Sequence, residues 1–470
     1  MKIKKITAPV RLMFLIIIAT AVAVTAIQCK TESVDTPDEN INISGENDNM
    51  NNIEKEQETE TTETEIIIEI EKAGGDDVGS LTSLELVHKM TAGWNLGNTL
   101  DAHWNGPAWG NFADPKEQET MWGNPVTTKE MINKIKETGF NTVRIPVTWY
   151  IFTGPAPDYK IDDDFMDRVQ EIVDYVIQNG MFCILNTHHE DYHKGGNWEC
   201  GWLTLYYVDG KDSRPFNDAE KDELKKRIGK LWEQIAERFK DYDEHLIFEA
   251  VNEPRTEGLG NFTKEMWAEQ GSLLNEINQT FVDVVRAGGG KNPGRHLMVT
   301  PYFASVGTDT NDGEGRISGF IDKETGKLKI NDPKDRLIAS VHYYEPWGFV
   351  TAPDDSEWFS WYFDLRIGSV SWNIEQVLKI MDKYFVKNNI PVIMGETGAI
   401  FRAMSDGESN VGEIVKWADY YIVKLKEMGI PSVIWDDGGS FKLFDRRNLD
   451  WLYPDYADAI IKAGQTPVKE

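Results

Sequence analysis

The feature that most constrains the fold is a series of short apolar runs that recurs from residue 94 onward. Each run spans five to eight residues, and successive runs begin 40 to 64 residues apart, which leaves room for a helix and its loops between each pair. Continuous apolar runs of this length are typical of parallel strands that are buried on both faces. The eight runs are Trp94–Leu100, Thr142–Val147, Phe182–His188, Leu246–Glu253, His296–Tyr302, Leu337–Tyr344, Pro391–Glu396 and Ser432–Asp436.

The stretches between the runs have the pattern of amphipathic helices. In Asp162–Gly180 the apolar residues recur at helical spacing, and Gly180 stands where a helix would end. Lys221–Phe239 and Ile374–Val386 show the same pattern. Eight strand–helix units predict an α/β fold, a (β/α)8 TIM barrel, as a single catalytic domain over residues 81–470. The active site of such a barrel lies at the C-terminal ends of its strands.

The first 80 residues do not fit this pattern. Basic residues precede the apolar run Leu12–Ile27, which predicts a signal peptide over residues 1–29, with a retained anchor helix as the alternative. Cys29 follows at the position of a lipidated lipoprotein cysteine, although cleavage near Ala26 would instead release the protein. Residues 30–80 hold 16 Asp and Glu against three Lys, which predicts a disordered acidic linker. We therefore expect an exported protein, either a cell-surface lipoprotein tethered to the membrane through Cys29 or a secreted one.

Composition limits the partners. The formal net charge of -29 argues against a nucleic-acid partner, because binding phosphates requires a basic surface. Most of the 16 Trp are expected in the core, and the others are candidate platforms for sugar rings. Cys183 lies in an apolar run and is expected to be a buried free thiol, although a disulfide with Cys200 stays open.

Chemistry-bearing residues lie at the ends of six of the predicted strands. A charge inside a buried run requires a partner, so Arg144 in the second run needs a carboxylate. His188 and His189 could form a metal site with Glu190 or His193. Adjacent strand residues point to opposite faces, so we expect no metal there. The other candidates are Asn252, Glu253, His342, Tyr344, Glu396 and Trp435.

Two of these candidates, Glu253 and Glu396, would meet at the same face of the barrel. Any single glutamate at a strand end is ordinarily a solvated loop residue, but a pair of carboxylates can serve glycoside hydrolysis. Glu253 would donate a proton to the leaving oxygen, and Glu396 would attack the anomeric carbon. Asn252 would bind a sugar 2-hydroxyl, and Trp435 would lie under the sugar ring.

The motifs resemble glycoside hydrolase family 5, the cellulase family, over residues 81–462. The resemblance includes Gly93–Leu100, the arginine strand, the His-His strand end, Asn252-Glu253-Pro254 and the segments that end in Tyr344, Glu396 and Trp435. Glu119–Pro125 and Phe444–Arg447 resemble subfamily 4. Asp436-Asp437-Gly438 departs from the Asp/Glu-Asn-Gly expected after the tryptophan, which puts local sugar contacts in doubt. The resemblance implies that the family's active-site set is Arg144, His188, Asn252, Glu253, His342, Tyr344, Glu396 and Trp435, with His189 and Asn98 as further sugar contacts.

The resemblance also implies a retaining endo-β-1,4-glucanase that acts on cellulose, xyloglucan or mixed-linkage glucan by double displacement. It implies that no metal or organic cofactor is required and that the partner is a polysaccharide. We expect a monomer. The alternatives are an endo-xylanase or endo-mannanase on the same barrel, or a catalytically dead carbohydrate-binding protein. Retention predicts that the two carboxyl groups lie roughly 5–5.5 Å apart, whereas inversion requires roughly 6.5–9.5 Å.

Overall fold

Eight parallel strands close into a barrel in the computed structural model of the chain. The structure describes residues 79–103, 114–191, 193–195, 198–209, 212–258, 263–306, 316–317, 319–351, 370–402 and 409–469. The predicted signal peptide, Cys29 and the predicted linker up to residue 78 lie outside these residues. The predicted TIM barrel is confirmed, whereas the division of the first 80 residues stays a prediction.

Each barrel strand begins within two residues of a predicted apolar run. Seven of the eight end before their run does, so several of the polar candidates lie in loops just beyond the strands. The hydrogen-bonded order is β1-β8-β7-β6-β5-β4-β3-β2, and β2 pairs with β1 to close the barrel. The strands are β1 (Ala92–Asn95), β2 (Thr142–Ile145), β3 (Phe182–Asn186), β4 (Leu246–Glu249), β5 (Leu297–Val299), β6 (Leu337–His342), β7 (Val392–Thr397) and β8 (Ser432–Ile434).

Helices alternate with most of the strands, and most follow from local sequence signals. The helix predicted from Asp162 begins at Asp163, because the Asp162 side chain caps it by accepting from the Phe165 N–H. Gly180 follows its end with a positive φ of 62°, as predicted for a terminating glycine. The helices are α1 (Ser83–Lys89), α2 (Pro115–Thr120), α3 (Lys129–Thr138), α4 (Asp163–Gln178), α5 (Asp218–Arg238), α6 (Lys264–Ala287), α7 (Trp347–Val350), α8 (Val370–Tyr384), α9 (Val411–Glu427) and α10 (Pro454–Gly464).

The barrel interior is apolar at the end where the strands begin. Because side chains alternate along a strand, every second strand residue points inward. The inward residues at this level pack in one cluster with Leu86 and Val87 of α1 and with Met90, so α1 covers this end of the barrel. We call this cluster the apolar plug; its strand members are Phe182, Ile184, Ile247, Met298, Ile338, Ile393 and Val433.

One step further along the strands the inward positions become polar. Asn95, Arg144, Glu249 and Ser340 are all fully buried, and they lie beyond the apolar plug toward the C-terminal ends of the strands. The outward residues of the same strands pack against the helices in a second, larger cluster. The barrel therefore passes from an apolar end to a polar one, and the polar end leads to the candidate site.

The remaining elements are short. Antiparallel hairpins pair His193–Gly195 with Trp198–Cys200, Tyr207–Asp209 with Asp212–Arg214, and Phe444–Asp445 with Asp450–Trp451. Single 3-10 turns lie at Tyr150–Phe152, Asn292–Gly294, Tyr302–Ala304 and Val386–Asn388. Cys183 is a buried free thiol, as predicted. The described helices include no candidate membrane span, since none combines the length and the hydropathy that a bilayer crossing needs.

Candidate active site

Arg144 is the centre of the polar end of the barrel. Its side chain is fully buried on β2, and the Nε and Nη1 atoms contact carboxylates of Glu249 at 2.7 Å and Glu396 at 2.8 Å. The Nη1 atom also donates to Oδ1 of Asn95 at 3.0 Å, and Nη2 donates to Oδ1 of Asn252 at 2.8 Å. Arg144 was predicted to need one carboxylate partner and has two, and their charges offset the desolvation of the guanidinium.

The sequence analysis missed Glu249, Asn95 and Ser340. Glu249 bridges Arg144 and the hydroxyl of Ser340, so its carboxylate is satisfied although it is fully buried. A signal was available, because Glu249 stands two residues after inward-facing Ile247 on the same strand. That spacing would have placed a second acid inside the barrel, next to the arginine.

Glu396 points into the site because β7 is irregular at this position. Toward β6, Val341 pairs with Met394 while His342 pairs with Glu396, so Gly395 is an extra residue on β7. A bulge of this kind redirects the side chain that follows it. Glycine favours the close approach of the strands here, since an added Cβ at Gly395 would lie only 3.1 Å from both His342 Nε2 and Ser340 Oγ.

The Glu396 carboxylate is held by two donors. Arg144 binds Oε1, and the Tyr344 hydroxyl donates to Oε2 at 3.1 Å. Burial raises the pKa of Glu396 above its ordinary value, while the cations His342 and Arg144 act in the opposite direction. Burial and the charge of Glu396 also raise the pKa of Tyr344, so its hydroxyl stays protonated and acts as a donor.

Glu253 lies in the loop after β4, four residues beyond the end of the strand. Its Oε1 is 2.9 Å from Nδ1 of His342, which in turn is 3.7 Å from Oε2 of Glu396. One carboxylate oxygen from each glutamate and one ring nitrogen of His342 all lie within 4.8 Å of one another. This close approach fits the separation expected for retention, roughly 5–5.5 Å between carboxyl groups, better than the wider gap of inversion.

His342 connects the two glutamates electrostatically. Burial alone would lower its pKa, but the charges of Glu396 and Glu253 outweigh burial and raise it. Its Nε2 makes no hydrogen bond to any described residue, so only Nδ1 faces a polar partner. The ring therefore shares a proton with Glu253 on one side and is shielded from solvent on the other.

His188 and Trp435 form one wall of the site. Their rings are stacked with centroids 5.8 Å apart and planes inclined by 3°. Burial lowers the pKa of His188 well below its ordinary value, so the imidazole is neutral. Asn186 donates to Nδ1 of His188, because its own Oδ1 accepts from the Val147 N–H. The imidazole proton is therefore on Nε2, which lies 4.0 Å from Oε1 of Glu396.

Asp101 is a second buried carboxyl that the sequence analysis missed. Its Oδ2 lies 4.0 Å from Nε2 of His188 and accepts from the Asn98 N–H at 3.0 Å, while Oδ1 accepts from the Thr99 N–H at 2.7 Å. Burial raises the pKa of Asp101 to about 7. Through its two hydrogen bonds to backbone N–H groups, Asp101 orders the loop after β1, in which Asn98 lies in the left-handed region with a φ of 54°.

His189 and Asn98 lie at the margin of the site. The His189 ring contacts His103 and Trp122, with centroid separations of 4.9 and 5.9 Å. Asn98 is half-buried, and its carbonyl accepts from Asn124 at 2.8 Å. Together with Trp122 these partly exposed side chains offer flat and polar groups next to His188.

Two groups of described residues are close enough to hold a metal ion, namely Asp101 with His188 and His189, and Glu253 with His342 and Glu396. The argument that adjacent histidines point to opposite faces was wrong, because β3 ends at Asn186 and the two rings are 4.5 Å apart. The proton on His188 Nε2 nevertheless occupies the lone pair that a metal would need. In the second group, the guanidinium of Arg144 already places a positive charge next to the Glu396 carboxylate.

Asp436, in the segment that departs from the family pattern, has a structural position. It is fully buried, accepts from Trp94 Nε1 at 3.2 Å, and pairs with Arg446 at 3.3 Å. Gly438 has a φ of 67°, and an added Cβ there would clash with Asn124. The departure therefore leaves the chemistry-bearing residues untouched and confines any change in sugar contacts to Asp437.

Comparisons with known proteins identify the family that the chain resembles. Residues 107–440 match the family model described as cellulase, glycosyl hydrolase family 5. The chain is 38% identical to Endoglucanase B of Clostridium cellulovorans over 400 residues, which is 83% of this chain and 78% of that protein. It is 36% identical to Endoglucanase B of Neocallimastix patriciarum over 412 residues, or 86% of this chain and 76% of that protein.

Three solved structures give the same result. A GH5-4 broad-specificity endoglucanase from Ruminococcus champanellensis with bound cellotriose is 36% identical, with a TM-score of 0.65 over 81% of this chain and 98% of that one. A GH5 xyloglucan-specific endo-β-1,4-glucanase from a metagenomic library, in complex with cellotriose, is 32% identical, with a TM-score of 0.65 and the same coverage. A GH5 lichenase from Caldicellulosiruptor sp. F32 is 31% identical, with a TM-score of 0.67 over 83% of this chain and 98% of that one.

Proposed function

The chain belongs to the cellulase family, glycosyl hydrolase family 5, and from that premise we propose that Glu253 is its acid/base and Glu396 its nucleophile. The protein is a glycoside hydrolase, an endo-β-1,4-glucanase like the relatives and the subfamily 4 structures it matches. The observation that carries the assignment of roles is the meeting of the two carboxylates within 4.8 Å at the polar end of the barrel.

In the first step Glu396 attacks the anomeric carbon while the bond from that carbon to the glycosidic oxygen breaks. Glu253 gives its proton to the departing oxygen, which leaves as the hydroxyl of the shortened chain. The contacts of Arg144 and Tyr344 with Glu396 hold its carboxylate in one orientation, which reduces the cost of reaching the transition state. The product of this step is a glycosyl ester of Glu396.

In the second step water cleaves that ester. Glu253, now ionised, takes a proton from the water, and the resulting hydroxyl group bonds to the anomeric carbon as Glu396 leaves. Glu253 regains its proton, and the configuration is retained after two inversions. The hydrogen bond between His342 and Glu253 allows the carboxyl to change charge twice in each cycle without losing its position.

The remaining site residues would bind the sugar. Trp435, stacked on His188, offers a flat face for the glucosyl ring that is cleaved. Asn252 is oriented by Arg144 so that its amide N–H groups are available to the 2-hydroxyl. His189 and Asn98 would contact the next sugar toward the non-reducing end.

We propose β-1,4-glucan backbones as substrates: cellulose, xyloglucan and mixed-linkage glucan. The names of the structural neighbours support this range, since they include a broad-specificity endoglucanase, a xyloglucan-specific enzyme and a lichenase. A reducing-sugar assay on carboxymethylcellulose, xyloglucan, lichenan, xylan and mannan ranks these substrates. Dominant release from xylan or mannan would favour a xylanase or mannanase, and no release from any polymer would favour a binding protein.

Two variants test the roles of the glutamates. Glu396→Gln is expected to lower turnover at least about a thousand-fold, because the nucleophile is lost. Glu396→Ala should regain activity with azide or formate, which enter the vacated space as nucleophiles. Glu253→Ala should slow hydrolysis of cello-oligosaccharides far more than of activated aryl cellobiosides, since only the former need protonation. Normal turnover by Glu396→Gln, or equal losses of Glu253→Ala on both substrates, would overturn the assignment.

We also propose that the protein is exported and held at the cell surface through lipidated Cys29, with residues 30–80 as a tether. The signal-like run Leu12–Ile27 and the acidic composition of the tether support this. Mass spectrometry of the mature N-terminus decides between the alternatives. A lipid on Cys29 fits a lipoprotein, whereas an unmodified N-terminus beyond Cys29 indicates a secreted enzyme.

A further inference from the structure

Arg255 is a cation next to the acid/base that neither the sequence analysis nor the proposed chemistry uses. It follows Pro254 in the loop after β4, and its side chain is four-fifths buried, with 20% exposed. The Nη1 atom lies 3.5 Å from Oε2 of Glu253 and 3.5 Å from Oδ2 of Asp191. The Nη2 atom lies 3.5 Å from Oε1 of Glu257.

The guanidinium is held in place by groups other than Glu253. Asp191 follows β3 and Glu257 lies further along the loop, so carboxylates contact it from two directions. The guanidinium carbon also lies 4.8 Å from the centre of the Phe303 ring. Phe303 is itself in the left-handed region, with a φ of 57°, and its N–H donates to the Pro254 carbonyl at 2.9 Å.

The Glu253 carboxyl consequently has a different neighbour at each oxygen. His342 from β6 lies against Oε1, and Arg255 lies against Oε2. Glu396 from β7 and the Tyr344 hydroxyl also face the carboxyl. Burial alone would lower the pKa of Arg255, but the charges of Asp191 and Glu253 reverse this and raise it, so Arg255 stays cationic.

We propose that Arg255 is a positioning residue that holds the Glu253 carboxyl against His342 and stabilises its ionised form. The inference rests on the proposed role of Glu253 as the acid/base. Glu253 becomes a carboxylate when its proton passes to the glycosidic oxygen, and that new negative charge forms 3.5 Å from a fixed cation. Arg255 exchanges no proton; it makes the proton easier to give away in the first step.

Arg255→Met and Arg255→Lys test this proposal, because methionine removes the charge and lysine keeps it. Without the cation Glu253 releases its proton less readily, so the basic limb of the kcat/KM profile should move to higher pH by about one unit. Arg255→Met should lower kcat/KM on cellotetraose about tenfold. This loss is smaller than the full contribution of acid catalysis, because Glu253 is still present. On an activated aryl cellobioside the loss should stay within about twofold. Arg255→Lys should keep the limb within a few tenths of a unit of its original position.

Arg214 provides a matched control. It also pairs with a carboxylate, Glu220 at 2.7 Å, and lies over an aromatic ring, Tyr207 at 4.2 Å. Arg214→Met should leave both the pH profile and the ratio of the two substrates unchanged. Equal losses on both substrates with an unmoved limb would show that Arg255 only supports the loop, and no loss at all would equally overturn the proposal.

Glu253→Ala in the same assays separates the two hypotheses. If Glu253 is the acid/base, this variant discriminates strongly between cellotetraose and the aryl cellobioside, whatever Arg255 does. If Glu253→Ala loses much more activity on cellotetraose than on the aryl cellobioside but Arg255→Met loses equally on both, only the role of Arg255 is refuted. If Glu253→Ala loses activity equally on both substrates, the role of Glu253 itself is refuted.

Discussion

The interior of the barrel is filled at both ends, with apolar side chains at one end and charged side chains at the other. At the end where the strands begin, the apolar plug fills the interior, and α1 covers it with Leu86 and Val87. At the other end the interior holds Arg144 between Glu249 and Glu396. Apolar residues gain from burial individually, whereas buried charges are tolerated only together.

This difference has a consequence for how each end responds to change. Removing one apolar side chain leaves a cavity whose cost depends on its size, and the effect stays local. Removing one charge leaves its partners buried without compensation. The polar end should therefore lose stability and activity together, while the apolar plug should lose only stability.

The largest effect is expected from Arg144→Met. Loss of the cation leaves two carboxylates uncompensated, so the free energy of unfolding should fall by about 3–5 kcal/mol. Activity should fall at least about a hundredfold, because Glu396 loses the donor that orients it. Urea unfolding and turnover on cellotetraose measure the two losses. Adding Glu249→Gln should restore part of the stability and none of the activity.

Arg286→Met is the matched control for the loss of a buried ion pair. Arg286 lies at the C-terminal end of α6 and binds Asp332 at 2.8 Å, with both side chains nearly buried. We expect a comparable loss of stability, about 3–5 kcal/mol, without loss of turnover by the folded enzyme. If Arg286→Met reduced turnover as strongly as Arg144→Met, the contrast between the two ends would be wrong.

A smaller effect is expected from Leu86→Ala in the apolar plug. Leu86 is fully buried, so the substitution should lower the free energy of unfolding by about 3 kcal/mol. Turnover at a temperature where the variant is folded should be unchanged. Leu452, which is 44% exposed, serves as the control, and Leu452→Ala should change stability by no more than about 0.5 kcal/mol. A matching loss in both leucine variants would contradict the role of the plug.

The smallest effect appears only in acid and concerns His296, just before β5. Burial lowers the pKa of this histidine to about 3, whereas an unfolded histidine takes up a proton near pH 6.5. Its contribution to stability is therefore present above pH 6.5 and is lost as the pH falls toward 3.

His296→Asn keeps a partner for Ser83, which is 2.8 Å from Nδ1, but does not titrate. Between pH 7 and pH 4.5 this variant should lose about 2 kcal/mol less stability than the unmodified protein. Urea unfolding at the two pH values measures the difference. Ser83→Ala keeps the histidine and should retain the full acid dependence; equal dependence in both variants would exclude this explanation.

The sequence predicted the barrel and placed most of the candidate site residues at one end of it. Strand and helix periodicity are local, and the end of a buried run marks the active face, so Glu253, Glu396, Arg144 and His342 could be named as candidates for that face from the sequence. The predicted buried thiol at Cys183 follows from the same local pattern. These inferences depend on residues within one strand–helix unit.

Tertiary structure alone decided the contacts between units. The extra residue at Gly395 aims Glu396 into the site, and it is visible only in the pairing of β7 with its neighbours β6 and β8. Glu249 shares Arg144 with Glu396, and Arg255 lies between Glu253 and Asp191. The partners of a buried charge come from strands that lie far apart in the sequence, and their positions follow from packing rather than from any local pattern.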